Sequence, residues 1–349
     1  MQATHNRDYS ISCARFIAMC FIIICHMMQR DDFASNINGA HISWAFWFNV
    51  GVQMFLFLSG YLYGGKDSID TISFYKKNFP KLLIDYYIFI FIMLVVIHFS
   101  PLFNIIPPPP YVIALITFSG TAPGLGHLWF IPTILFCYLL TPIFYSIIST
   151  TDKHNDKRFW VEILLFLFLV HEVIIKFFNY FDPTLLNCYI IGMIYSRIES
   201  KSKINIYFFH LITALLCIIT IPIQFKIDYW PHNIELPEYF VTHYTYFCGY
   251  VHVFLGMAII FVIRLVYKKL ETHAISHIIL DWSDKYSYDI YLTHHVFIQS
   301  AFGCVEFINN RFIALPLAVF FTIISAIFLY HISRFIHTCC LKVFEKIPN

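Results

Sequence analysis

Ten apolar stretches, each close to the length that crosses a lipid bilayer, run the length of this chain. They fall near residues 11–29, 43–63, 82–99, 128–149, 160–177, 183–198, 204–223, 246–266, 287–307 and 312–337. A helix needs about 20 mostly apolar residues to span the hydrocarbon core. Only 13% of the 349 residues are charged and 59% are hydrophobic, with 39 Phe and 23 Tyr. A soluble domain carries about 25% charged residues, so a water-exposed surface is excluded. The pattern predicts an all-α, polytopic membrane protein of about ten transmembrane helices, organised as one integral-membrane domain over 1–349.

Charge placement orients the predicted spans. With the N-terminus inside, Arg30, Lys176, Lys226 and Arg311 lie outside and Arg15 lies within the first span, while every other Lys and Arg of the 23 falls on the inner side. Positive residues accumulate on the cytoplasmic side of membrane proteins, so both termini are expected to be cytoplasmic. The net charge of +2 gives no reason to expect a nucleic-acid partner. The first apolar run lacks a small-residue exit and holds Arg15 and His26, so it reads as a span and not a cleaved leader. The 10 cysteines contain no C-x-x-C pair and read as small buried hydrophobes. Pro101 with Pro107–Pro110, and Tyr229–Glu238, read as two external loops. No loop is long enough for a soluble catalytic domain, so any chemistry must come from the spans and their short connections.

An ionisable side chain inside a span is a functional hypothesis by default. Arg15 and His26 are eleven residues apart, which on a helix is about 16 Å along the axis and within about 20° of one face. Arg15 snorkelling to headgroups and His26 hydrogen-bonding a neighbour is the plainer alternative. The ninth segment holds Asp289, His294 and His295. Adjacent helical residues point about 100° apart, so only one of these two histidines is expected to face a given site. His98, His127 and His252 lie near span ends and read as interfacial. His171 and Glu172, deep in the fifth span, have no assigned role. Lys76, Lys77 and Lys81 form a cluster just before the third span, read either as a topological signal or as a phosphate landing site. Ser59-Gly60 reads as a helix-packing pair.

Four segments in order resemble the acyltransferase 3 family of integral-membrane enzymes. Arg15-x10-His26 is similar to the family's first-span signature. Gly51 to Gly64 (GVQMFLFLSGYLYG) is similar to its second-span block, His127 to Pro142 to its His-Leu-Trp-Phe segment, and Ser287 to His295 (SYDIYLTHH) to its late Tyr-Leu-x-His motif. The family's Arg-x-x-Arg at the third span is replaced here by Asn78 and Lys81, which do not reproduce bidentate phosphate recognition.

The resemblance implies transfer of an acyl group, usually acetyl from acetyl-CoA, to a glycan hydroxyl, in a bacterial cytoplasmic membrane and without a metal. It implies His26 as general base, Arg15 as donor-holding cation and His294 as a third catalytic candidate. Lys76, Lys77 and Lys81 join Arg15 as donor-binding candidates. Trp129 and Tyr291 are candidates for stacking on donor or sugar, with an interfacial belt as the alternative. The acceptor is expected to be a glycan or lipid-linked saccharide, with membrane lipids as surroundings. A transporter or flippase also places ionisable residues in spans, but no repeated half is evident here.

Overall fold

The structure is a computed structural model and describes residues 7–30, 34–37, 40–100, 109–119, 124–151, 156–201, 205–229, 237–270 and 274–344. The chain order is α1 (Tyr9–Arg30), β1 (Ala34–Ile37), β2 (Ala40–Ser43), α2 (Trp44–Phe48), α3 (Val50–Gly64), α4 (Thr71–Phe99), α5 (Pro109–Ile116) and α6 (Phe130–Thr151). It continues with α7 (Asp156–Phe177), α8 (Pro183–Lys201), α9 (Ile206–Tyr229), α10 (Glu238–Lys269), α11 (Ala274–Ile298), α12 (Cys304–Phe307) and α13 (Arg311–Phe344). The two strands form one antiparallel hairpin pairing Ala34 with Ser43.

Several helices start where a short polar side chain takes over a backbone donor. The carboxylates of Asp8 and Asp182 accept from the N–H groups of Ser10 and Thr184, and the amide oxygens of Asn205 and Asn310 accept from Tyr207 and Phe312. Each satisfies a donor that the first helical turn leaves orphaned. Pro183 follows Asp182 at the first helical position, where its missing N–H is harmless.

Each of the ten apolar segments overlaps a helix, but among the described residues seven stretches are long and apolar enough to cross a membrane: Tyr9–Arg30, Trp44–Gly64, Thr71–Phe99, Gly126–Thr151, Ile206–Tyr229, Glu238–Lys269 and Arg311–Cys339. The other three expected spans fall on α7, α8 and α11. Glu162, Glu172 and Lys176 interrupt α7, Asp281, Asp284, Lys285 and Asp289 interrupt α11, and α8 is polar over its last turns. By length and composition the chain is therefore a multi-pass membrane protein, with seven candidate spans among the described residues where ten were expected.

Several boundaries also differ, most of all at the third and ninth segments. The helix of the third expected span, α4, starts at Thr71, so Lys76, Lys77 and Lys81 lie within it and not before it. It continues through Pro80, which has no N–H to offer the Lys76 carbonyl. The ninth segment runs Ala274–Ile298 and stops short of the expected residue 307. Ser300 ends it: its hydroxyl donates back to the Val296 carbonyl and accepts the Phe302 N–H, replacing bonds the helix would make. In the external loop expected around Pro101–Pro110, residues 101–108 lie outside the described residues, and Pro109 opens the short α5. Residues 230–236 of the second such loop also lie outside them.

The helices gather into two compact units, one of residues 1–70 and 139–281, the other of 71–138 and 282–349. In the first, α3 packs on α1, α8 and α10. Its glycines allow backbone contact: a Cβ at Gly51 would lie 2.6 Å from the Ala18 carbonyl of α1. Cβ atoms at Gly60 and Gly64 would collide with the Tyr189 and Met193 carbonyls of α8, and one at Gly192 with the Phe57 carbonyl of α3. This is the small-residue contact of membrane helices, and it bears out the packing role expected of Gly60.

In the second unit, α4 packs on α13 around Tyr86, Phe89, Ile90, Met93 and Leu329. Outward faces are apolar: α7 exposes Val161, Leu164, Leu165, Phe168 and Leu169, and α9 exposes Leu211, Leu215, Ile218 and Ile219. Among the described residues no disulfide forms, and Cys25, Cys137, Cys188 and Cys304 are buried.

Candidate acyl-transfer site

The first unit carries Arg15 and His26 on one uninterrupted helix, α1, so the helical spacing expected between them is realised. Both are half-buried. The His26 ring faces the side-chain oxygen of Gln29, one turn on, at 2.8 Å from Nδ1. An amide oxygen only accepts, so Nδ1 carries the proton and Nε2 holds the lone pair of the neutral ring. That is the state a general base requires.

The same unit buries a cation that the sequence reading counted only as a topological charge. Arg264 of α10 is 5% exposed. Its guanidinium donates to Glu199 of α8 at 2.9 and 3.1 Å, to Asp8 at 3.1 Å, to the Tyr195 hydroxyl at 3.2 Å and to Ser10 at 3.3 Å. Tyr61 of α3 donates to Glu199 at 2.6 Å and offers its ring face to the guanidinium at 5.2 Å. Partial burial acts to raise the Asp8 carboxyl, but the Ser10 hydroxyl and the Arg264 charge outweigh it and hold it below the usual carboxylate range. The legible signal was Asp8 and Glu199, acids at the same expected side of the membrane as Arg264. All of Arg264's donors are committed, so it ties helices together and is not offered to a ligand.

The second unit assembles histidines that the sequence reading kept apart. His127 sits in a single 3-10 turn, Gly126–Trp129, ahead of α6. It was expected at the interface, yet it is 2% exposed. His252 of the first unit is likewise buried, at 3%, against the rings of Phe46 and Trp47, a second correction to the interfacial reading. Span-end position misled because both residues are covered by neighbouring aromatic side chains. His98 is exposed.

The His127 ring lies 5.0 Å from the His294 ring and 4.6 Å from the His295 ring. Both neighbours on α11 therefore face one site, contrary to the expectation that only one would. Their directions diverge, but His127 comes from outside the helix and fills the angle between them.

Backbone carbonyls fix the tautomers of all three rings. His127 Nε2 donates to Leu292 at 3.0 Å, His294 Nδ1 to Tyr291 at 2.6 Å and His295 Nδ1 to Gly124 at 2.9 Å. In their neutral forms the lone pairs are on His127 Nδ1, His294 Nε2 and His295 Nε2. Gly124 reaches His295 with φ at +76°, a conformation that suits glycine. The Tyr291 hydroxyl donates to the His127 carbonyl. It holds that turn in place, while its ring lies 5.3 Å from Phe130. Trp129, 40% exposed, projects from the same turn.

Of the lysine cluster, Lys76 and Lys77 are exposed on α4. Lys81 lines a polar cavity of about 210 Å³ together with Lys285, Arg334, Asp85, Asp289 and Ser333. Lys285 stands 4.9 Å from the Tyr286 and Tyr330 rings, and Arg334 5.2 Å from Tyr330. The structure thus gathers Lys81 with two cations that had been read only as inside charges. Asp289 is buried in the same wall. Among the described residues no three His, Cys, Asp or Glu side chains converge as metal ligands.

No curated protein and no solved structure matches the chain significantly. One family does: its sequence pattern, described as an acyltransferase domain (Acyl_transf_3), matches residues 8–331. The match covers nearly the whole chain and takes in α1 with His26 and α11 with its two histidines, so the chain belongs to the acyltransferase 3 family of membrane acyltransferases.

Proposed function

We propose that the protein transfers an acetyl group from acetyl-CoA to a hydroxyl of a cell-surface or secreted glycan, or of its lipid-linked precursor, in a bacterial cytoplasmic membrane. The observation that carries this reading is His26, held on a membrane helix with Nδ1 bound to Gln29, one helix face shared with Arg15. A sugar hydroxyl is a weak nucleophile at neutral pH and gains from a positioned base. His26 Nε2 takes the hydroxyl proton as the oxygen attacks the thioester carbonyl. The carbon–sulfur bond then breaks, and the CoA thiolate leaves with a proton returned from the imidazolium. The products are a glycan ester and free CoA.

Arg15 and, on α4, Lys76, Lys77 and Lys81 are assigned to the donor's phosphates, where permanent positive charge is the requirement. The cavity shared by Lys81, Lys285 and Arg334 adds cations of the same kind. His294, locked with its lone pair on Nε2, is the third candidate for proton handling. Trp129, the exposed aromatic of its turn, remains the stacking candidate. Tyr291 has its hydroxyl engaged with the His127 carbonyl and is assigned to positioning that turn.

The test is deletion of the gene in its host, complementation with wild type or His26→Ala, and mass spectrometry of the surface glycans. Base-labile, acetyl-sized mass differences restored by wild type alone support the reading. Glycans unchanged by deletion overturn it and favour a transporter, to be examined by substrate flux.

A further inference from the structure

The polar cavity of the second unit has a more selective lining than binding of any phosphate requires. It holds about 210 Å³ between α4, α11 and α13. Lys81, Lys285 and Arg334 are exposed, Asp85 is half-buried and Asp289 is 2% exposed. Positive charge therefore lies at the mouth and negative charge deeper in the wall.

Among the described residues, none of the three cations is paired with a carboxylate. Lys285 and Arg334 instead share the Tyr330 ring, at 4.9 and 5.2 Å from its centre, and the Arg334 charge acts against that of Lys285. Like charges gathered in this way are relieved by a bound anion. Three cations against two carboxylates leave an excess of positive charge, which a zwitterion would not neutralise. Asp289 is closed off, with Oδ1 enclosed by protein, so Asp85 is the carboxylate that a ligand can reach. An ionised carboxylate only accepts hydrogen bonds. Beside the anion, Asp85 therefore calls for a donor such as a hydroxyl.

We propose that this cavity binds a phosphate ester that carries a hydroxyl on the neighbouring carbon. The phosphate meets Lys81, Lys285 and Arg334 at the mouth. The hydroxyl donates to Asp85, as a ribose hydroxyl does to an acidic side chain in dinucleotide sites. On the scale on which about 150 Å³ takes a benzene ring, this cavity takes a phosphate and the adjoining edge of a sugar or glycerol. The proposed orientation puts this end of the unit at the cytoplasmic surface, where two sources of that group occur. One is the 3′-phosphorylated ribose of the acyl-CoA donor, and in that form the inference rests on the acyl-transfer reading. The other is the phosphoglycerol headgroup of a bilayer lipid, which is independent of that reading; basic pockets between membrane helices on this side take phosphorylated headgroups.

The test uses the full-length protein and two binding measurements. In phosphatidylcholine nanodiscs, calorimetry compares CoA with its 3′-dephospho and 2′-deoxy forms. In detergent, native mass spectrometry compares retention of phosphatidylglycerol, phosphatidic acid and phosphatidylethanolamine. Phosphatidic acid lacks the free hydroxyl, and phosphatidylethanolamine is a zwitterion. A preference of about tenfold for CoA over both analogues identifies the donor as the ligand, as for one charge-assisted hydrogen bond. The same preference for phosphatidylglycerol over both other lipids identifies the lipid. Arg334→Gln, at an exposed side chain, is expected to abolish whichever preference is seen. Equal affinities in both measurements overturn the proposal, and so does selection for the phosphate that ignores the hydroxyl. A preference that survives Arg334→Gln places the ligand elsewhere and also overturns it. Selective retention of phosphatidylglycerol without any binding of CoA supports the cavity assignment and counts against the acyl-CoA donor alone. The wild-type comparisons need no variant, so a poorly folding Arg334→Gln chain does not weaken them.

Discussion

Gln29 decides which nitrogen of His26 is basic, so the two residues have distinct signatures. His26→Ala is expected to lower transfer by about 10²-fold or more, the usual contribution of a general base. Gln29→Leu leaves the imidazole but frees its tautomer, and a smaller loss of about tenfold is expected for lack of one orienting hydrogen bond. Both are measured as ester formed per unit of folded protein in membranes. At Arg264 the prediction concerns stability. Arg264→Met leaves Asp8 and Glu199 facing each other without a cation, and breaking a buried pair this way costs about 3–5 kcal/mol. Thermal unfolding in detergent reads it, and a variant as stable as wild type would remove Arg264 from the account. Because the Asp8 carboxyl is held below its ordinary value, its stabilising contribution is complete above the usual carboxylate range. It is lost as the pH falls through the lower, folded value. Asp8→Asn should therefore lower stability at neutral pH and converge with wild type in acid, which flattens the acid side of the stability profile.

Among the elements, α3 and α8 approach until backbone meets backbone, and glycines at 60, 64 and 192 make that possible. Gly60→Leu or Gly192→Leu is expected to destabilise by at least about 1–3 kcal/mol, because neither backbone can retreat from the inserted side chain. Gly126→Ala is the control: a Cβ there has its nearest neighbour 3.8 Å away, so no change in unfolding temperature is expected. The four segments that carry the family resemblance turn out to differ in kind. The Gly51 to Gly64 block is a packing device, whereas His127 and SYDIYLTHH supply a cluster of imidazoles with fixed protons. His127 was legible as the first residue of its segment, but its meeting with His294 and His295 was not. A single four-residue 3-10 turn is too short to show a periodicity from which a direction can be read.

For the whole molecule, the proposed orientation places both termini and residue 67 inside and residue 310 outside. Fusions of a reporter active only outside the cytoplasm should be silent at Asp67 and active at Asn310. The reverse pattern would overturn the orientation, and activity at both would overturn the span assignment between them. The choice between seven and ten crossings turns on α7, α8 and α11, whose charged and polar residues interrupt otherwise apolar runs. For α7 the exposed row of Val161, Leu164, Leu165 and Phe168 favours a helix against lipid, and a fusion at Asn179, after α7, tests it directly.

The sequence by itself determined that this chain lives in a membrane, roughly where its helices lie, and which family it belongs to. Those properties follow from local composition and from short patterns read along one helix, as with Arg15 and His26. Only the tertiary structure decided which charges are buried and which rings meet. Arg264 and Lys268 lie four residues apart on α10, yet Arg264 is enclosed by residues of α1, α3 and α8, while Lys268 is not among the buried charges. Burial and hydrogen bonding depend on what other segments bring to a position. Arg264 meets Asp8 across 256 residues of chain, and His127 meets Leu292 across 165. Separations of that size leave no periodic trace in a single sequence.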